Sequence, residues 1–218
     1  ICKRADVVLR ILEGTPSHDR GQARLFILMN EMLDIKCDVE YHNTLEIVRI
    51  ERFDINCLWV PDEYHGSTDT TKDEVVKLLA DKGILQVDYS FMHGAFPHQF
   101  PPHLNLAVHD PVFYQDITKK YVFIGHVHTS SREGNILAQG SFDRIHHGEE
   151  HPKGCWYVES YREGFDADIV KFVETKNAMT YATIDLLGVT NEVCKERLMT
   201  ISTLPRNSNI RLIQEPLD

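Results

Sequence analysis

The chain has 218 residues, 42% of them hydrophobic and 26% charged, with 12 glycines, 12 histidines and a net charge of −10 at neutral pH. That length supports one substantial core, or one domain with a small appendage, and the composition excludes a disordered tail. The acidic balance argues against a nonspecific nucleic-acid binder working through a basic face of its own, although metal ions can supply local positive charge.

Cys2, Cys37, Cys57, Cys155 and Cys194 are odd in number and form no Cys-x-x-Cys pair, which argues against a disulfide framework and a thiolate zinc site. A reducing cytoplasm is the expected compartment. No apolar run approaches the ~20 residues of a membrane span, and the start, ICKRADVVLR, lacks the apolar segment of a signal peptide. A soluble, unexported chain is expected, with further residues upstream of Ile1.

In chain order, VVLRILE (7–13) reads as a short strand ending at a Gly-Thr-Pro-Ser turn. In ARLFILMNEMLD, Leu25, Leu28, Met29, Met32 and Leu33 fall on one stripe of a helix, and that stripe is predicted to face the core. KCDVEY, LEIVRIER and INCLWV read as three strands. KDEVVKLLADKG reads as a second helix, with Asp73 and Glu74 near its start and Gly83 as its stop. Strands then dominate: QVDYSFMH, YVFIGHVH, NILAQGS, GCWYVESY and DADIVKFVE. The segment from Gly94 to Phe113, with Pro97, Pro101, Pro102 and Pro111, is expected to hold little regular structure. From about Val173 the texture changes to AMTYATIDL, a helix near NEVCKERLMTI and a last strand, NIRLI. The predicted class is α/β, a sandwich of sheets with flanking helices. Residues 1–172 form the main domain and 173–218 begin a small α+β second domain.

Four histidines stand where strands give way to loops: His18 in GTPSHD, His93 in SFMHGAF, and His126 with His128 in GHVH. Strand ends along one edge of an α/β sheet are where ligands and metals collect. Residues i and i+2 of an extended segment share a side, so His126 and His128 are expected to converge on one point. Two preorganised imidazoles on one short turn point to a metal. His98, His103, His109, His146, His147 and His151, in polar or proline-rich loops, are read as ordinary loop residues. Arg144 and Lys153 read as solvated basic residues of a hairpin or as contacts to a nucleic-acid backbone.

Gly-x-x-x-His-Asp, then an isolated His-Gly after a strand, then Gly-His-x-His, resembles the third, fourth and fifth signature blocks of the calcineurin-like metallophosphoesterases. Within them the likeness is to the SbcD nucleases, bacterial and phage counterparts of the meiotic-recombination-eleven type of double-strand-break repair nuclease. The run AQGSFDRIHHGEEHPKGCWYVE is similar to that family's Ser-Gly-Ser, Arg, Gly-Glu, Lys-Gly, aromatic-Val-Glu run, and FVETKNAMTYATIDL resembles the strand leading into its capping domain. The resemblance spans roughly residues 7–186. It implies a metallophosphoesterase β-sandwich, N-terminally incomplete here, followed by the start of the capping domain.

Carried over by position, the resemblance makes His93 and His126 ligands of one manganese ion and His128 a ligand of its neighbour. His18 would stand beside the scissile phosphate as hydrogen-bond or proton donor, oriented by Asp19. Ser17 occupies the place of the family's metal-binding asparagine, so either its hydroxyl or a water fills that role. The family's first two blocks, Asp-x-His and Gly-Asp-x-x-Asp, do not occur in this sequence and are expected upstream. The implied activity is manganese-dependent exonuclease and endonuclease cleavage of DNA by a two-metal centre. The implied partners are DNA, an SbcC-type ATPase and a second copy of the chain in a homodimer. The implied location is the nucleoid of a bacterial or phage-infected cell. Two further readings stay open: a metallophosphatase acting on small phosphate esters, and a non-catalytic scaffold subunit lacking a complete metal site.

Overall fold

In the computed structural model, which describes residues 7–15, 20–61, 67–101, 103–104, 106–161 and 167–214, the chain is an α/β protein made of two compact units. The first holds the chain as far as Val127 together with Ser131–Gln139, and the second holds His128–Ser130 with the chain from Gly140 onward. Among the described residues no helix is long and apolar enough to cross a membrane.

The first unit opens with β1 (Val8–Leu12), α1 (Leu25–Met32) and β2 (Asp38–His42), and β1 and β2 pair in parallel. Its main sheet follows: β3 (Glu46–Ile50), β4 (Ile55–Val60), α2 (Thr68–Asp81), β5 (Val87–Gly94), α3 (Pro111–Ile117), β6 (Thr118–His126), β7 (Ser131–Glu133) and β8 (Ile136–Ala138). The strand order is β3-β4-β5-β6-β8-β7. Strands β4, β5, β6 and β8 run parallel, and the outer strands β3 and β7 pair antiparallel with their neighbours. Helices link β4 to β5 and β5 to β6, as parallel neighbours require.

Two different faces cover the centre of this sheet. On one, Leu58, Val60, Met92, Val122, Ile124 and Ile136 join Val75 and Leu79 of α2 and Tyr114 and Ile117 of α3 in a continuous apolar core. The other face carries a row of aromatic rings. Trp59, Phe91 and Phe123 occupy one rung across three strands, stacked at 4.5 and 5.1 Å between centroids, and His42 closes the row on Trp59 at 3.8 Å. Cross-strand aromatic pairs of this kind fix register as well as burying area.

Caps explain the helix boundaries. Ser67 accepts from the Thr70 amide and starts α2 earlier than the charge pattern suggests, so Asp69 takes the first-turn place expected of Asp73 and Glu74. Gly83, at φ +65°, stops it as expected. Helix α3 arises inside the proline-rich segment, where no helix is expected. Asp110 caps it, accepting from the amides of Val112 and Phe113, and Pro111 sits where its missing N–H costs nothing.

One packing expectation is corrected. The apolar stripe of α1 is exposed, at 50% for Leu25, 52% for Met29 and 82% for Met32, and is not part of the core.

The second unit contains β9 (Gly154–Glu159) and β10 (Ile169–Glu174), an antiparallel pair, then β11 (Tyr181–Asp185), α4 (Asn191–Met199) and β12 (Asn209–Ile213). The last three form a βαβ unit with parallel strands. Gly154 is fixed by sterics, since a Cβ there would lie 2.1 Å from the Val173 carbonyl oxygen across the ladder.

Leu58 is fully buried and Leu28 is exposed. Leu58→Ala should therefore destabilise the fold by about 2–5 kcal/mol in urea denaturation, and Leu28→Ala by no more than about 0.5 kcal/mol. Equal losses would mean that the α1 stripe is packed after all.

Candidate metal centre

The parallel register of β5 and β6 determines what their carboxyl ends present. His93 lies opposite Gly125, and Gly94 lies opposite His126. Each strand thus ends in one histidine and one glycine, in reversed order. The two imidazoles meet edge to face, with centroids 5.1 Å apart and planes at 82°. His93 belongs to the aromatic face, two residues beyond Phe91, and its Nδ1 is buried.

Both strand ends leave the extended conformation at the same rung, Gly94 with φ +143° and His126 with φ +128°. For Gly94 the conformation is easy, and the missing Cβ admits His109, whose Nε2 would lie 2.7 Å from one. His109 is buried edge-on to Tyr114, with ring centroids 5.4 Å apart, which agrees with its reading as a structural residue. For His126 the conformation is strained, of order 1–3 kcal/mol for a residue with a Cβ. Strain of that kind persists where the surroundings over-determine a position, and the Thr15 hydroxyl, 3.4 Å from Nδ1 of His126, helps to hold the ring. The same turn corrects the expected alternation, because β6 stops at His126 and the backbone between His126 and His128 is not a continuous strand.

His93 lines two open clefts in the first unit. One, of about 460 Å³, is bordered by Leu12, Phe26 and Met29. The other, of about 510 Å³, is bordered by Arg10, Trp59, Phe91 and Phe123. Arg10 is held there by a two-pronged bond to Glu40, at 2.7 and 3.0 Å. Just after β1, Glu13 is buried and accepts from the Tyr41 hydroxyl. Burial, and then the bond to Glu13, push that phenol up to about 12.

In the second unit His128 is built into a polar cluster. Its Nδ1 is hydrogen-bonded to Glu149, which is 7% exposed. The other Glu149 oxygen accepts from the Ile145 amide at 3.0 Å and lies 3.5 Å from the Lys153 ammonium. Lys153 is 1% exposed and also donates to the His128 carbonyl at 3.0 Å. Burial raises the Glu149 carboxyl, but the Ile145 amide, His128 and Lys153 together outweigh it and hold the group at about 2. Lys153 is therefore not the solvated or nucleic-acid-contacting hairpin residue expected from its neighbours. Arg144 is likewise occupied, donating to the carbonyls of Met179 and His151 at 3.0 Å each.

Of the residues expected in the centre, the structure brings His93 and His126 together and places His128 in the second unit. Ser17, His18 and Asp19 lie outside the described residues. Among the described residues no group of three or more His, Cys, Asp or Glu side chains is gathered as a metal site. Two imidazoles suit a divalent transition metal, and a manganese ion there would need oxygen donors beside them. Thr15 and Glu149 were not singled out by sequence reasoning; the only signal was their place in GTPSHD and in the Gly-Glu of the downstream run. The chain matches no protein-family model and no curated protein.

If His126 is strained, His126→Gly should be more stable than His126→Ala by about 1 kcal/mol in urea denaturation, because strain relief exceeds the extra chain entropy of glycine. An alanine variant as stable as the glycine variant would show that the backbone there is relaxed.

Proposed function

We propose that this chain carries part of a metallophosphoesterase, a manganese-dependent DNA nuclease of the SbcD type. The observation that carries the reading is the His93–His126 pair, two imidazoles held edge to face at the carboxyl ends of adjacent parallel strands, with a strained backbone at one of them. The order of motifs from GTPSHD through MHG to GHVH supports the nuclease family. Ligands for the ion pair would be His93 and His126 on one ion and His128 on the other, with Ser17 or a water near the first block.

Two bound manganese ions would supply charge to clamp a phosphodiester and a water activated for in-line attack. The residues of the chain do the rest. His93 and His126 hold position against each other, and Thr15 helps to hold the His126 ring. His18 donates a proton or hydrogen bond as charge builds on the leaving oxygen, and Asp19 orients it. A net charge of −10 leaves little basic surface for a long DNA, so in this reading the ions themselves carry most of the attraction for phosphate. An SbcC-type ATPase and a second copy of the chain are the proposed partners.

Cleavage of linear DNA with manganese should stop on chelation and fall at least about 10²-fold in His18→Ala, as for loss of a proton donor. Near-normal cleavage by His18→Ala would contradict its role. DNA cleavage whose salt dependence is flat, without the steep fall that long DNA contacts give, would move the substrate from DNA to small esters.

A further inference from the structure

Glu149 and Lys153 form a buried ion pair in the second unit, and Glu149 is bonded through Nδ1 to His128, a ring that the proposed function uses. Burying an ammonium and a carboxylate is costly unless each is paired and hydrogen-bonded. Here each is. The ammonium meets Glu149 and the His128 carbonyl, and the carboxylate meets the ammonium, the Ile145 amide and the His128 ring. His146 lies 3.3 Å from the same carboxylate oxygen, on an exposed side chain. The backbone on either side of Lys153 is pinned as well: the Thr175 amide donates to its carbonyl at 2.7 Å, and the Gly154 amide donates to Ser141 at 3.0 Å. Lys153 has no freedom to leave, and it grips His128 from both ends, through the main-chain carbonyl directly and through the ring by way of Glu149.

An ionised carboxylate only accepts hydrogen bonds, so the His128 nitrogen facing it must carry the hydrogen. A neutral imidazole with hydrogen on Nδ1 has its lone pair on Nε2. Ring nitrogens that bind metals are commonly prepared in this way, by a carboxylate on the opposite nitrogen.

We infer that Glu149 is a positioning residue, locked by Lys153, that fixes His128 as the Nδ1–H tautomer and so presents its Nε2 lone pair to a divalent cation. The inference rests on the reading of His128 as a metal ligand. Glu149 touches neither metal nor substrate in this role; it acts through His128.

The test uses the full chain labelled with ¹⁵N at histidine, free of metal and at a pH where the imidazoles are neutral. Long-range ¹H–¹⁵N spectra then report the tautomer of each ring directly. In the unaltered chain His128 should carry hydrogen on Nδ1. In Glu149→Ala, and in the double variant Glu149→Leu with Lys153→Met, which removes both buried charges together and so protects the fold, that preference should vanish. Manganese affinity should fall about 10–100-fold in the same variants, the usual effect of losing an outer carboxylate, while the tautomer of His93 stays unchanged. His128 carrying hydrogen on Nε2 in the unaltered chain would overturn the inference without any variant, as would a double variant that folds and keeps the Nδ1–H tautomer. Manganese that binds without broadening the His128 signals would instead overturn His128 as a ligand, and with it the cation half of the inference.

Discussion

The His93–His126 pair depends on the register between β5 and β6 and on the turn that ends both strands. A one-residue slip would set His93 directly against His126, whereas in the observed register strict alternation would send the two to opposite faces, because side chains alternate with period two. His93 faces Gly125 and Gly94 faces His126, and the two imidazoles meet because the backbone turns out of the extended conformation at that last rung, with Gly94 at φ +143° and His126 at φ +128°. The register is in turn enforced far from the histidines. Trp59, Phe91 and Phe123 stack along one rung on one face, and Leu58, Met92, Val122 and Ile124 interlock on the other.

Two forms of local cost accompany the histidines, and each is offset by neighbouring structure. At His126 the cost is backbone strain, held by the pairing with β5 and by Thr15. At His128 it is the burial of an ion pair, compensated by the Ile145 amide and the His128 carbonyl and fixed by the tight β9–β10 contact at Gly154. Neither arrangement is needed to build a sheet or a hairpin. Their coincidence with the GHVH motif is what makes a functional reading more economical than a structural one.

Much of this was legible in the sequence, for identifiable reasons. Strand β4 occupies INCLWV as read, because a β-branched and aromatic run with a turn before it has no competing helical period. The α1 stripe has helical spacing and forms a helix, yet periodicity reports only that a face is apolar, not that something covers it. Helix α3 was hidden by proline, which breaks a helix at most positions but suits its first turn, and the Asp-Pro cap was the overlooked signal. His93 and His126 were found because both close apolar runs beside a glycine. Glu149 was not, since a Gly-Glu in a polar hairpin looks solvated, and only the fold shows that this carboxylate and Lys153 are inside. Burial of a charged pair is a tertiary property without a local pattern.

The central claim is that His93 and His126 bind one divalent ion. Manganese titration calorimetry on the full chain and on His93→Ala tests it most directly. The account predicts binding by the unaltered chain that weakens at least about 10-fold when His93 is removed, in keeping with the loss of a direct ligand. Superimposable isotherms for the two proteins would contradict it.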